Sequence, residues 1–141
     1  MDRQQFIEDI LDYYQHPRNK GRMADADLHL GGGNPGCGDL VTVYIKLSAD
    51  GERIEKATFE GSGCTVSQAG ASMVAEMLEG LTVAEVQALG TDTMRELVGE
   101  DAVKQRVRCA TLGLATFQAA LEEHRRQGER DAAAARVTDT P

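Results

Sequence analysis

The stretch Phe59–Ser72, FEGSGCTVSQAGAS, changes its periodicity partway along. Arg53 to Phe59, which leads into it, carries Ile54 and Phe59 among its apolar positions and reads as a strand. After Gly61-Ser62-Gly63 the apolar spacing becomes helical, with Val66, Ala69, Gly70, Met73 and Met77 recurring on one face. Thr65 and Gln68 have the spacing of a capping box, so a helix is expected just after Cys64. Gly80 can end it. A cysteine therefore stands at the joint between a strand and a helix N-terminus.

Upstream, Leu40 to Leu47 (LVTVYIKL) alternates and is rich in β-branched residues. Asp50-Gly51 follows as a hairpin signal, and Arg53–Phe59 supplies the returning strand. A further short strand is expected near Leu28–Leu30. Asp2 to about Tyr14 places Phe6, Ile7, Ile10, Leu11 and Tyr14 at helical spacing behind an Asp2/Gln5 cap, and Pro17 ends that helix. Downstream, Thr82 with Glu85 and Thr93 with Glu96 start two short helices, closed by Gly90 and Gly99. A last helix with Leu114, Phe117 and Leu121 on one stripe begins near Cys109. The order predicts an α+β fold, a small antiparallel sheet of about three strands with helices packed on one face. A single domain over 1–127 is expected, with a disordered tail over 128–141, where no anchor residue is found.

The chain has 141 residues, 41% of them apolar, enough for one core, and that core must be aliphatic because only 4% are aromatic. Its formal net charge of −8 speaks against a nucleic-acid backbone as partner. No apolar run is long enough for a membrane span, and the N-terminus lacks a secretory signal pattern, so the chain reads as cytoplasmic. Three cysteines, none paired as C-x-x-C, speak against a disulfide framework.

All three cysteines fall at junctions. Cys37 sits in GGGNPGCGDL (Gly31–Leu40), Cys64 before a helix, and Cys109 near the start of the last helix. Helix N-termini are expected to stabilise the thiolate, which is the form that binds metal. Cys37 and Asp39, two apart in an extended segment, can converge on one ion, with glycines letting the backbone bend around it. Three thiolates and one carboxylate make a tetrahedral set for zinc, and Arg106 and Arg108 can offset its negative charge.

At these residues the chain resembles the IscU/SufU family of iron–sulfur cluster assembly proteins, also found as the N-terminal domain of NifU. DYYQHPRNKG resembles the family's opening helix and Pro-Arg-Asn turn. NPGCGD carries the first cysteine and the aspartate, FEGSGCTVSQAGAS the second cysteine, and RVRCATLGL the third. The resemblance runs from about Phe6 to Leu121. It implies a SufE/NifU-like fold and a metal and cluster site of Cys37, Asp39, Cys64 and Cys109. It also implies a cysteine desulfurase as sulfur donor, Cys109 as first persulfide acceptor, a transient [2Fe–2S] cluster, zinc in the resting state, and apo iron–sulfur proteins as recipients. Arg108 stands where IscU members carry histidine, which favours the SufU branch; the SufU insertion between the second and third cysteines is missing, which favours IscU. The IscU chaperone-recognition segment is not evident in AVKQRVR.

Asp39, a hard ligand among soft ones, is expected to be the weakest of the four and a solvent-accessible arm that makes a bound cluster transferable. The main alternative is a zinc-dependent sulfurtransferase that relays persulfide sulfur through Cys109 without building a cluster. Two others are a cysteine hydrolase using Cys64 or Cys109 with His16, His29 or His124 as base, and a protein whose metal is purely structural.

Overall fold

The structure, a computed structural model, describes residues 2–34 and 38–138. In chain order it runs α1 (Arg3–Gln15), β1 (Leu28–Asn34), β2 (Asp39–Leu47), β3 (Ile54–Ser62), α2 (Thr65–Leu78), α3 (Val83–Ala88), α4 (Thr91–Val98), α5 (Glu100–Gln105) and α6 (Val107–Thr138). The strands form one antiparallel sheet in the order β1-β2-β3. Helices α2 and α6 pack together and cover one face of it. The expected α+β architecture is the observed one.

Alternation decides which side chains reach those helices. Val41, Val43, Ile45 and Leu47 of β2 are buried, and meet Ile54 and Phe59 of β3, Val74 and Leu78 of α2, and Leu114 and Phe117 of α6. On the helix-free face, Tyr44 stacks on His29 and donates to Glu60 Oε1 at 2.5 Å. That bond gives Glu60 a place that its sequence context did not suggest.

The turn after α1 is fastened rather than loose. Asn19 adopts φ 58°, and its amide donates to the Ala57 carbonyl of β3 at 2.9 Å and the Ala75 carbonyl of α2 at 3.4 Å. The buried Ser72 hydroxyl accepts from Arg18 N and donates to Arg18 O, both at 2.7 Å. Asn19→Ala removes the tolerance of a left-handed backbone together with the amide that satisfies these carbonyls. The expected cost is about 2 kcal/mol, measured by urea denaturation; a change below the scatter of the fit would contradict this role.

Several elements differ from expectation. β1 is longer than the expected Leu28–Leu30 and runs to Asn34, because Gly31–Gly33 pair with Leu40–Thr42. Glycine is a poor strand former, but a Cβ on Gly32 would strike Thr116 of α6, so packing requires the bare backbone here. The helix after Cys64 is capped one residue earlier than the Thr65/Gln68 pattern suggests. α4 starts at Thr91, with Gly90 as its cap, so Thr93 lies inside it. α5 is an extra turn-and-a-half beginning at Gly99.

The stretch from 128, read as a disordered tail, continues α6 to Thr138. Its alanines, glutamates and arginines favour helix, and Arg125–Glu122, Arg125–Glu129 and Arg130–Glu123 pairs run along its exposed surface. Among the described residues no helix is long and apolar enough to cross a membrane.

Candidate metal centre

Three elements end at one point. Asp39 is the first residue of β2 and, by the strand's alternation, belongs to the same inward stripe as Val41 and Val43. It is 1% exposed, a carboxylate where the pattern otherwise supplies an aliphatic side chain. Cys64 is the N-cap of α2, with its Sγ accepting from Ser67 N at 3.4 Å in the place of the usual hydroxyl. Cys109 is the third residue of α6 and is buried.

Asp39 ties the three together. Its Oδ1 accepts from Cys64 N at 2.8 Å, and its Oδ2 accepts from Cys109 Sγ at 3.0 Å, with Cys64 Sγ 4.0 Å away. One ligand atom from each of Asp39, Cys64 and Cys109 lies within 4.8 Å of the others. Gly63 makes the approach possible. At φ 145°, it carries no Cβ, and one built there would lie 2.3 Å from Asp39 Oδ1. Ser67 was missed by the sequence reading. It caps the Cys64 sulfur through its N–H and donates its hydroxyl to Cys64 O at 3.0 Å. Its position three residues after a cap was the available signal.

Burial pushes the Cys109 thiol up to about 12, and the Asp39 carboxylate and Cys64 reinforce the effect. This reverses the expectation of a thiolate eased by its helix N-terminus. Desolvation and the neighbouring carboxylate outweigh the helix field in the metal-free protein. A cation entering the site must displace that proton, so apparent zinc affinity should rise about tenfold per pH unit for each proton released. Stability of the metal-free protein has a definite sign with pH. The folded state holds the Cys109 proton more tightly than the unfolded chain, whose thiol titrates near 9.0, so stability is complete below that pH and declines as pH rises toward 12. Urea midpoints of metal-free protein between pH 8 and pH 11 check this; a flat profile would contradict it.

The remaining site predictions divide. Cys37 lies outside the described residues. Asp39 is not the solvent-accessible arm expected of it, because β2 carries it into the interior. Arg106 closes α5, and Arg108 is on the first turn of α6; both are exposed. The histidines go elsewhere: His16 caps the C-terminus of α1, His29 faces the helix-free side of the sheet, and His124 is on the exposed part of α6. Among the described residues none joins the cluster of Asp39, Cys64 and Cys109, which removes the support for a cysteine hydrolase.

The donor set fits a metal ion. A tetrahedral zinc with sulfur ligands at about 2.3 Å and oxygen at about 2.0 Å places its donors closer than 4.8 Å to one another.

Such a donor set, on a three-stranded sheet backed by helices, is chemically suited to a metal ion. Residues 5–131 match the family described as the NifU-like N-terminal domain, and the chain belongs to that family. It is 35% identical over 127 residues to the iron–sulfur cluster assembly scaffold protein IscU 1 of Archaeoglobus fulgidus, covering 89% of this chain and 81% of the relative. It is 33% identical over 120 residues to the zinc-dependent sulfurtransferase SufU of Bacillus subtilis, covering 73% and 80%. The crystal structure of a NifU-like N-terminal domain from Brucella abortus superposes with a TM-score of 0.71 at 20% identity, covering 86% of this chain and 96% of that one, and shares the fold.

Proposed function

We propose that this chain is an iron–sulfur cluster assembly scaffold whose site is completed by Cys37 beside Asp39, Cys64 and Cys109. The observation that carries the reading is the buried Asp39 carboxylate, hydrogen-bonded to both a cysteine N–H and a cysteine thiol. A structural zinc site usually uses sulfur and nitrogen donors alone, and stable clusters usually have four cysteines. A carboxylate in their place makes a weaker hold, as cargo in transit requires. Cys37 is two residues from Asp39 in the sequence.

The residues have distinct tasks. Cys109 accepts sulfur from a cysteine desulfurase: its sulfur attacks the outer sulfur of the donor's persulfide, the donor's S–S bond breaks, and the donor leaves as thiolate. The Cys109 thiol proton passes to the departing donor thiolate, and Asp39, which accepts from Cys109 Sγ at 3.0 Å, orients that thiol beforehand. Cys64 presents its sulfur from a rigid helix cap. The cargo is a transient [2Fe–2S] cluster, passed on to apo iron–sulfur proteins, and zinc occupies the same donors at rest.

A second reading, a zinc-dependent sulfur relay through Cys109, is favoured by the likeness to SufU and by Arg108 in the place of histidine. Anaerobic reconstitution with ferrous iron and sulfide separates the two. A scaffold acquires visible charge-transfer absorption and acid-labile sulfide in proportion to protein; a relay transfers persulfide to an acceptor and acquires neither.

A further inference from the structure

Gln68 has a task other than the one its spacing suggests. Cys64, not Thr65, is the N-cap of α2, so Gln68 does not close a capping box. Its side chain turns inward and is 7% exposed. Its Nε2 donates to Ser67 Oγ at 3.2 Å and to the Leu40 carbonyl at 3.4 Å. Gly61 leaves room for that meeting, since a Cβ there would lie 2.3 Å from Leu40 O and 3.1 Å from Gln68 Oε1.

These bonds close a ring through the metal centre. Leu40 follows Asp39 in the chain. Asp39 Oδ1 accepts from Cys64 N at 2.8 Å, and Cys64 O accepts from the Ser67 hydroxyl at 3.0 Å. That hydroxyl accepts from Gln68, which reaches back to Leu40. The ring joins the start of β2, carrying one candidate ligand, to the cap of α2, carrying another. Oε1 of the same amide is buried and accepts no hydrogen bond from the described residues. An apolar side chain of similar volume would avoid that cost, so local stability does not call for glutamine here. A side chain able to bridge two ligand-bearing segments does. We infer that Gln68 is a positioning residue of the metal centre, its carboxamide limiting how far the Asp39 carboxylate and the Cys64 sulfur can part and so how readily a bound ion leaves. The inference rests on the reading that Asp39 and Cys64 serve one ion, and it holds for a cluster scaffold and a zinc relay alike.

The test follows zinc release from the loaded full chain into an excess of a chromophoric chelator. Release is expected to be about fivefold faster in Gln68→Met, below the roughly 10–100-fold effect of a group bonded to a ligand itself. Ser67→Ala opens the same ring and should act in the same direction. The double variant should exceed Gln68→Met by less than about twofold, because members of one network do not add. In the metal-free protein, exchange of the Cys64 amide should quicken about threefold in Gln68→Met, while that of Val43 stays at the parent value. The metal-free melting temperature should stay at the parent value, because the bonds lost and the unpaired Oε1 removed offset each other.

Gln118 supplies the structural control. Its Nε2 also makes two bonds, to Val86 O at 3.0 Å and Leu89 O at 2.9 Å, between α6 and the α3 segment. Gln118→Met should lower the melting temperature and leave zinc release at the parent rate. Release at the parent rate in Gln68→Met, a double variant equal to the product of the single ones, or equally quickened release in Gln118→Met would overturn the inference. A parent that holds no zinc would overturn it together with the shared-site reading. Tightly held zinc whose release ignores Gln68 would overturn the inference alone.

Discussion

Asp39→Ala will still accept a cluster on its cysteines but will pass it to an apo-ferredoxin about tenfold or more slowly. The reason lies in what release leaves behind. When cargo departs, the Asp39 carboxylate re-forms its bonds to Cys64 N at 2.8 Å and Cys109 Sγ at 3.0 Å, and these stabilise the emptied site. Hydrogen bonds to a charged group are worth about 1.5–3 kcal/mol each, so losing even one raises the emptied state enough to slow transfer by a factor of ten. Alanine also leaves the Cys64 N–H and the Cys109 thiol without this hydrogen-bond acceptor. Transfer is followed by the appearance of the ferredoxin's own visible spectrum. A rate equal to wild type would mean that the carboxylate plays no part in release.

Cys109→Ser will lower zinc affinity more than about a hundredfold, since losing merely an outer hydrogen-bond partner of a metal ligand costs 10–100-fold. Serine keeps a hydroxyl able to donate to Asp39, so the metal-free fold should survive and the loss can be read as a ligand effect. In the wild type, zinc at a thousand times its Kd stabilises by about 4 kcal/mol, on the order of 10 °C in melting temperature for a domain of this size. The zinc-dependent shift should fall to about a third or less in Cys109→Ser at the same zinc concentration, because zinc then stands at about ten times its Kd or below. An undiminished shift would place the stabilising ion elsewhere.

The sheet, the helix after Cys64 and the covered face were legible because they depend on local pattern. β2 alternates, and the change of period after Gly63 is abrupt. What escaped depends on neighbours distant in sequence. Gly31–Gly33 form a strand because β2 and Thr116 of α6 accept that backbone. α5 has six residues, too few for a period to emerge, and shares Gly99 with the end of α4.

Asp39 shows how near the site itself came to being readable. Its residue type suggested a ligand, and the alternation running back from Leu47 already placed it on the buried side, yet a charged group invites an exposed assignment. Cys109 shows the converse. A helix start suggests an acidic thiol, and only packing against Asp39 and Cys64 shows that the proton is held. The helical course beyond residue 128 follows from composition and surface ion pairs rather than from a buried stripe, so no apolar periodicity announces it.

The zinc K-edge X-ray absorption of freshly loaded protein, compared with Cys37→Ser, Cys64→Ser and Cys109→Ser, probes the shared site most directly. The expected first shell has three sulfurs near 2.3 Å and one oxygen, falling to about two sulfurs in each variant. A shell made only of oxygen and nitrogen, or a sulfur count that no cysteine substitution alters, would contradict a metal held jointly by Cys37, Asp39, Cys64 and Cys109.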